Sequence, residues 1–349
     1  MRKLAKFALA LGVLYAMITY FLSSLIVIVK ERRTVDQSIE RMQTRFQIDL
    51  DSIIQLLPQA EATQFTTLDG VEISGWWFES SPVALPSLEV QAADLETSDS
   101  EIFLAATPLD PGEAGLQIQT EPCLIVMTHG YTDNHSGTMK YAQLFQDCGC
   151  DLFVYDHRGH GLSSGDFITG GVLEARDLQE INNWLIHERS ITPDRIGWLG
   201  ESWGAATVLQ AAANYDSVGF VIAESPFQDW RTAITERADR DYGKWLRLLT
   251  PGAFAWARIR TGVSLSAASP IKAAASISVP TLIFHSQADA ETSPDQSENI
   301  FAALPDQTPK ALHLLDWGSI HAHNVLDRPE AYKELVMDFV RREVSGFCP

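Results

Sequence analysis

The five residues from Gly200 to Gly204 read Gly-Glu-Ser-Trp-Gly, a pattern in which the central serine acts as a nucleophile. The apolar run Ile196 to Leu199 precedes it as a predicted strand, and an Ala-rich segment up to Asn214 follows it as a predicted helix. A turn this sharp requires small residues two positions before and after the serine, and it lifts the hydroxyl above the sheet. We therefore predict that Ser202 is the nucleophile of an acyl-transfer reaction.

The same pattern occurs a second time, at Gly161-Leu-Ser163-Ser-Gly165. This copy follows the end of a predicted strand and continues through more glycines to Gly171, and no helix begins at its serine. Because the strand and helix on either side are what expose the nucleophile, we predict that Ser163 belongs to a Gly-rich loop.

A serine hydroxyl is a poor nucleophile at neutral pH, so it needs a histidine base that a carboxylate orients. Asp289 comes shortly after the apolar run Thr281 to Phe284, at the carboxyl end of a predicted strand, where sites of parallel sheets gather. We predict that Asp289 is this acid. A helix-cap or turn role for Asp289 is the alternative, with Glu224 after the preceding strand as the acid.

Two histidines, His321 and His323, compete for the role of base in the loop between the last predicted strand and the last helix. We favour His321 because it comes first in the small-residue part of this loop, which leaves a capping or packing role for His323; spacing alone does not decide between them. Three further histidines lie upstream of the serine, which is the wrong chain order for the base, and we expect them to line the pocket: His129, His157 and His160.

The oxyanion of a tetrahedral intermediate needs two hydrogen-bond donors that are fixed in advance. The predicted strand Leu124 to Thr128 leads into His129-Gly130-Tyr131, where a glycine allows the chain to approach closely. We predict that the backbone N–H groups of Tyr131 and Trp203 are these donors. Taken alone, His129-Gly130 would be an ordinary turn at a strand end.

The elements that must position these residues alternate between apolar runs and amphipathic segments, which predicts a mostly parallel sheet wound with helices on both faces. Before them, Asp69-Gly70 between two strand-like runs predicts a β-hairpin over residues 65–78. Residues 227–276, rich in Trp and Arg, interrupt the alternation and predict a small helical cap. Strands are predicted at 124–128, 152–155, 196–199, 220–223, 281–284 and 311–315, and helices at 139–148, 173–187, 202–214 and 329–344.

The segment Phe7 to Val29 is uncharged and has basic residues on both sides, and it exceeds the roughly 20 apolar residues that span a bilayer. We predict an uncleaved transmembrane anchor over residues 1–30, with a cleaved signal peptide or a buried helix as alternatives. Since both flanks are basic, orientation is weakly determined, and we favour a catalytic domain outside the cytoplasm. A connector at 31–64 and a catalytic domain at 65–349 follow, the latter carrying an acidic surface insertion at 80–121.

The composition argues against several classes of partner. The chain has 26 Lys and Arg against 45 Asp and Glu, a formal net charge of −19, which disfavours nucleic acids and polyanionic substrates. The four cysteines lack the spacing of a metal site, and we predict neither a metal nor a cofactor. Cys123 opens a predicted strand as a small hydrophobic residue, while a disulfide among Cys148, Cys150 and Cys348 is an option for an exported domain.

Together these features resemble the α/β-hydrolase superfamily over about residues 65–345. The run from Asp156 to Gly165 and the segment Ser269-Pro-Ile271 are similar to membrane-anchored bacterial hydrolases related to the prolyl-oligopeptidase-like and lysophospholipase-like groups. The resemblance puts Ser202, Asp289 and His321 on the triad positions and Tyr131 and Trp203 on the oxyanion positions. Ser286, where a glycine is usual before the acid, and the long insertion depart from the pattern.

We therefore expect a serine hydrolase of the esterase, lipase or thioesterase kind that acts on a small acyl ester or a lipid-like substrate. A cap containing Trp230, Trp245, Phe254 and Trp256 fits such a substrate, although a Trp stripe is more often core than substrate wall. A peptidase-like acyl hydrolase is one alternative. A binding or scaffold protein that has lost activity is another, and the loss of a triad residue would favour it.

Overall fold

A sheet of eight strands forms the centre of the molecule, in the spatial order β1-β2-β4-β3-β5-β6-β7-β8. The computed structural model describes residues 2–29, 32–46, 60–80 and 122–348. The contacts of β2 with β1 and β4 are antiparallel, and every other pair is parallel. The strands are β1 Glu61–Thr66, β2 Glu72–Phe78, β3 Leu124–Thr128, β4 Asp151–Tyr155, β5 Ile196–Glu201, β6 Phe220–Glu224, β7 Thr281–Ser286 and β8 Lys310–Leu315.

Helices cover both faces of this sheet. They are α1 Arg2–Val27, α2 Val35–Phe46, α3 Val172–Arg189, α4 Trp203–Ala211, α5 Trp230–Tyr242, α6 Thr250–Thr261, α7 Pro270–Ala274, α8 Asp295–Ala303, α9 Asn324–Asp327 and α10 Pro329–Glu343. Short 3₁₀ segments cover Pro193–Arg195, Lys244–Leu248 and Leu265–Ala267, and a longer one covers His135–Cys148, which was predicted as a helix from residue 139.

The side chains of the central strands alternate between two apolar layers. On β3, Ile125 and Met127 face the layer that the long 3₁₀ segment and α10 cover, while Leu124 and Val126 face the layer under α3 and α4. Each of these central strands is therefore buried on both faces, which explains why they appear in the sequence as continuous apolar runs. The predicted doubly wound, mostly parallel sheet is confirmed.

The predicted hairpin is present as β1 and β2, joined by a turn in which the N–H of Thr67 donates to the carbonyl of Val71 at 2.9 Å. Gly70 has a φ of 84°, a conformation that favours glycine. However, β1 begins at Glu61, so the predicted boundary between connector and catalytic domain at residue 65 is wrong. This edge strand is polar and partly exposed, so its first residues carry no apolar pattern to reveal it.

All four cysteines form disulfides, Cys123 with Cys150 and Cys148 with Cys348. The expectation that Cys123 is an unpaired hydrophobic residue is therefore wrong. The reason is the parallel pairing of β3 and β4, which brings the chain before β3 beside the chain before β4. The carbonyl of Cys123 accepts the N–H of Asp151, and this places it next to Cys150.

Residues 227–276 form a group of short helices above the carboxyl end of the sheet, built from α5, α6, α7 and two 3₁₀ turns. The backbone N–H of Trp230 donates to the carbonyl of Ala268, which ties the start of this group to its end. Helix α1 packs along α6. The predicted insertion at 80–121 lies, apart from Ser80, outside the described residues.

Candidate active site

Ser202 lies between β5 and α4 with φ 51° and ψ −109°, a strained conformation for a residue with a side chain. A Cβ at Gly204 would collide with the backbone of Thr128, and one at Gly200 would collide with Gly204. The two glycines of the motif are thus required by the close passage of β3 and α4 around the turn. The strain aims the Ser202 hydroxyl away from the sheet.

His321 lies in the loop after β8, and its ring joins two of the predicted site residues. Its Nε2 is 2.7 Å from Oγ of Ser202, and its Nδ1 is 2.6 Å from Oδ2 of Asp289. Three side chains that are distant in sequence therefore form one hydrogen-bonded line, in the arrangement of nucleophile, base and orienting acid.

The Asp289 carboxylate is buried and fully engaged. Its Oδ1 accepts the backbone N–H groups of Glu291 at 2.8 Å and Thr292 at 3.0 Å, and its Oδ2 faces both His321 and, at 3.1 Å, Nε2 of His285. Burial raises the pKa of Asp289, but the hydrogen bonds from His285 and His321 outweigh it and hold the pKa well below its ordinary value of 3.8. Asp289 is therefore ionised at neutral pH.

The electrostatics of the His321 ring follow from this carboxylate. Burial lowers the pKa of His321, yet the hydrogen bond and the charge of Asp289 outweigh burial, so the pKa lies above its ordinary value of 6.5. A proton taken by Nε2 would thus be stabilised, as a general base requires.

Glu224, the alternative acid, and His323, the alternative base, occupy other positions than Asp289 and His321. The buried carboxylate of Glu224 accepts hydrogen bonds from Asn324 at 2.7 Å and from the Tyr332 hydroxyl at 2.9 Å, and it is not the carboxylate that contacts His321. His323 stands at the start of α9, and the ring that reaches Ser202 belongs to His321.

The second serine of the repeated pattern is buried in a loop. Ser163 Oγ donates to the carbonyl of Asp156 at 2.6 Å and accepts the N–H of Ser74 at 2.9 Å. These bonds fasten the loop after β4 to β2. The structure thus places Ser163 in a supporting position, as the sequence context indicates.

The two predicted oxyanion donors flank the serine. Trp203 is the first residue of α4, and the first N–H groups of a helix have no acceptor within it. A Cβ added at Gly130 would be 3.6 Å from Cβ of Ser202, so the backbone leading into Tyr131 passes beside the nucleophile. The rings of Tyr131 and Trp203 stack with centroids 5.6 Å apart.

The three histidines that precede Ser202 in the chain form a buried cluster. The centroid of the His129 ring lies 4.6 Å from that of His157 and 5.0 Å from that of His160. The backbone N–H of His157 donates to Nε2 of His129. Burial lowers the pKa of all three rings, to about 3 for His160. Within the described ranges, no group of three or more His, Cys, Asp or Glu is arranged to hold a metal ion.

Two residues of the site were not foreseen from the sequence, His285 and Lys140. Lys140 is buried, forms an ion pair with Glu201 and donates to the carbonyl of Ala322 at 3.0 Å. It therefore connects the residue before Ser202 to the residue after His321. For His285, its position at the end of β7, four residues before the acid, was a usable signal, whereas Lys140 is 182 residues from Ala322 and offered none.

The aromatic residues of the cap divide into two sets. Trp230 is buried and meets the Trp203 ring edge-on at 4.6 Å, so it extends the wall beside the nucleophile. Phe254 is buried in the same apolar cluster. In contrast, Trp256 lies against Tyr20 of α1, and Trp245 is 62% exposed.

Comparison with known proteins identifies relatives of this chain. The sequence profile of the prolyl oligopeptidase family matches residues 136–346. The protein YqkD of Bacillus subtilis (strain 168) is 31% identical over 223 residues, which are 63% of this chain and 71% of YqkD. The protein YfhR of Escherichia coli (strain K12) is 26% identical over 286 residues, or 80% of each chain.

Solved structures share the fold. The Pyrococcus furiosus esterase Pf2001 aligns over 85% of this chain and 96% of its own, with a TM-score of 0.59 and 18% identity. The Pyrococcus horikoshii acylaminoacyl peptidase aligns over 84% of this chain and 43% of its own, with a TM-score of 0.53 and 20% identity. At these identities the likeness concerns the fold, and it confirms the predicted α/β-hydrolase architecture.

Proposed function

The chain belongs to the prolyl oligopeptidase family within the α/β-hydrolases and is a hydrolase, and from this premise we propose that it cleaves acyl esters or thioesters through Ser202, His321 and Asp289. The observation that carries the proposal is the continuous hydrogen-bonded line from Ser202 Oγ through both ring nitrogens of His321 to Asp289 Oδ2.

In the proposed reaction, Ser202 Oγ attacks the acyl carbonyl carbon while Nε2 of His321 takes the hydroxyl proton. His321 then gives this proton to the leaving alcohol or thiol as its bond to the acyl carbon breaks, which leaves an acyl-enzyme. Water attacks this ester by the same route and restores the serine. Throughout, Asp289 holds Nδ1–H of the ring and stabilises the imidazolium without itself being protonated.

The tetrahedral oxyanion is proposed to lie between the backbone N–H groups of Tyr131 and Trp203. Support comes from the position of Trp203 at the start of α4 and from the passage of Gly130 beside Ser202. The dipole of α4 adds to the same stabilisation, because the helix begins at the nucleophile.

An apolar acyl group fits the surroundings of the serine. Tyr131, Trp203, Phe227 and Trp230 form a contiguous aromatic wall there, with ring centroids 4.6 to 6.5 Å apart. A peptidase-like acyl hydrolase is the second candidate, which the family match and the acylaminoacyl peptidase fold favour. The chemistry at the serine is the same for both.

We place the catalytic domain on the outer side of a membrane, held by α1 as a single-pass anchor. Helix α1 has 26 residues and is apolar enough to cross a bilayer, a property that a signal sequence shares. The two disulfides support an oxidising compartment.

A fluorophosphonate probe tests the nucleophile directly. Wild type and Ser163→Ala are expected to be labelled and Ser202→Ala is expected to remain unlabelled, whereas equal labelling of all three would refute the assignment. Rates on p-nitrophenyl esters of increasing acyl length, compared with an N-acyl-aminoacyl p-nitroanilide, then distinguish esterase from peptidase. Faster turnover of the anilide would favour the second candidate.

A further inference from the structure

The second half of helix α1 and the cap helix α6 run parallel and are fastened together. The Tyr15 hydroxyl donates to the carbonyl of Leu248, just before α6, and Gly252 leaves room for the Thr19 side chain. Further along, Nη1 of Arg260 donates to the hydroxyls of Ser23 at 2.9 Å and Ser24 at 2.8 Å. The second half of α1 is thus an integral part of the cap.

The outer face of the cap beside α1 is apolar and exposed. Leu248 is 77% and Ile259 is 69% exposed, and the positions between them on the same helical face are Pro251 and Ala255, also exposed. Trp245 stands at the start of this strip. These five residues, which we call the cap strip, lie beside α1, whose own exposed residues are also largely apolar (among them Phe7, Leu11, Leu14, Ile18 and Phe21).

The length of α1 fixes how deep the cap strip must lie if α1 crosses a bilayer. The uncharged part of α1 begins at Phe7, and its residues up to Tyr15, which makes a hydrogen bond to the cap, are exposed; at 1.5 Å per residue they cover about 12 Å. A hydrocarbon core is about 30 Å thick. About 18 Å of it therefore remains at the level of Tyr15 and about 6 Å at the level of Ser23, so the part of the cap beside these residues must lie among the acyl chains.

We propose that the cap strip is a bilayer-docking surface, which lies against the acyl chains beside α1. This inference rests on the proposed anchor role of α1. Because α1 and α6 run parallel, Leu248 lies deepest, at the level of Tyr15, and Ile259 lies shallower, near Ser23.

The docking surface is connected to the site through the interior of the cap. Ile26 and Val27 of α1, Ala253 and Phe254 of α6, and Trp203 beside the nucleophile belong to one buried apolar cluster. The part of the cap that faces the membrane thus packs, through one cluster, against the side chain that follows Ser202. The substrate class that fits is an acyl ester that partitions into the bilayer.

Single introduced cysteines can test the depth, since all four native cysteines are in disulfides. Full-length Leu248→Cys, Ile259→Cys and Asp306→Cys, each carrying an NBD label, are reconstituted into phosphatidylcholine vesicles. Asp306 is the control because it is fully exposed before β8, at the amino end of that strand, whereas the cap lies above the carboxyl end of the sheet. Acyl-chain brominated lipid is expected to quench position 248 most, 259 less and 306 not at all, and aqueous iodide is expected to give the reverse order.

Two outcomes overturn the proposal. Iodide quenching of 248 and 259 as strong as that of 306 would place the strip in water. Protection from both quenchers would mean that a second copy or another protein covers it. Neither readout depends on catalysis.

Activity of Leu248→Asp separates docking from the proposed reaction. Hydrolysis of a soluble short ester is expected to be unchanged, while hydrolysis of a long-chain ester within vesicles is expected to fall about tenfold, as a carboxylate forced into the acyl boundary would cause. If Leu248→Asp hydrolyses both substrates as fast as wild type does, docking is contradicted. If wild type does not hydrolyse the soluble ester at all, the proposed function is contradicted instead, and the quenching result still stands.

Discussion

Nε2 of His285 lies 3.1 Å from Oδ2 of Asp289, the same oxygen that Nδ1 of His321 contacts at 2.6 Å. His285 is itself fixed, since its Nδ1 is 2.6 Å from the Ser297 hydroxyl and its Nε2 is 3.0 Å from the carbonyl of Thr292. One carboxylate oxygen thus joins two imidazoles, of which only His321 reaches the serine. We therefore expect His285 to position Asp289.

Replacement of His285 by Gln should reduce kcat/KM for a soluble ester by about tenfold, because a less constrained Asp289 orients His321 less well, an effect of about 1.4 kcal/mol. KM should change little, because His285 is on the far side of Asp289 from the serine. His313→Gln is the control, since His313 is on β8 and stacks on Phe284 outside the triad. An equal loss in both variants would point to a general effect on folding.

The pH dependence of kcat/KM should reveal His321. The base must be neutral, and its pKa is raised above 6.5 by Asp289, so the rate should fall as the pH drops through an apparent pKa above 6.5. Asp289→Asn removes the charge that raises the pKa of His321, and burial of the ring then lowers this pKa. The acidic limb of the pH-rate profile should therefore move below pH 6.5. A pH-rate profile of both proteins measures this, and an unmoved limb would assign the titration to another group.

The stability contributed by His321 and that contributed by Asp289 should depend on pH in opposite directions. The raised pKa of His321 contributes stability at pH values below 6.5, and this is lost as the pH rises through the folded-state value. The lowered pKa of Asp289 contributes stability above 3.8, and this is lost as the pH falls below that value. Asp289→Asn should therefore flatten the acid side of a urea-unfolding profile.

The sequence was sufficient to predict the parts of the site that local chain geometry determines. Ser202 is recognisable because a strand, two glycines and a helix are contiguous, and Asp289 because it follows a strand end. His321 was favoured over His323 by its place in the loop, but spacing alone could not decide between them, because the folded path of residues 317–324 determines which ring reaches Ser202.

Features that depend on distant pairing were not predictable. The bond between Cys123 and Cys150 follows from the register of β3 against β4, and four cysteines allow three pairings. The polar strand β1 has no apolar pattern, since only its pairing with β2 places it in the sheet. Likewise, nothing in the apolar pattern of residues 7–29 indicates that α1 packs on α6.

The buried ion pair between Lys140 and Glu201 should be important for both stability and the site. Lys140→Met leaves the Glu201 charge unpaired in the interior, and we expect a loss of about 3 to 5 kcal/mol in the free energy of unfolding. Lys333→Met, which removes a more exposed pair with Asp147, should cost at most about 1 kcal/mol. Urea denaturation measures both values.

A double variant isolates the cause of that loss. If the unpaired charge is responsible, Lys140→Met combined with Glu201→Gln should recover a large part of the stability. Activity should recover less, because the link from Lys140 to the carbonyl of Ala322 beside His321 is still missing. Full recovery of activity would show that this link has no positioning role.

The two disulfides should differ in their effect on stability. Cys148–Cys348 joins residues 200 apart and Cys123–Cys150 joins residues 27 apart. If restriction of the unfolded chain dominates, removing the former should cost about 5 kcal/mol and removing the latter about 3.5 kcal/mol. Cys148→Ser/Cys348→Ser and Cys123→Ser/Cys150→Ser, each keeping the other bond, can be compared by urea denaturation under oxidising conditions. The reverse ranking would show that packing around Cys123 outweighs the length of the closed loop.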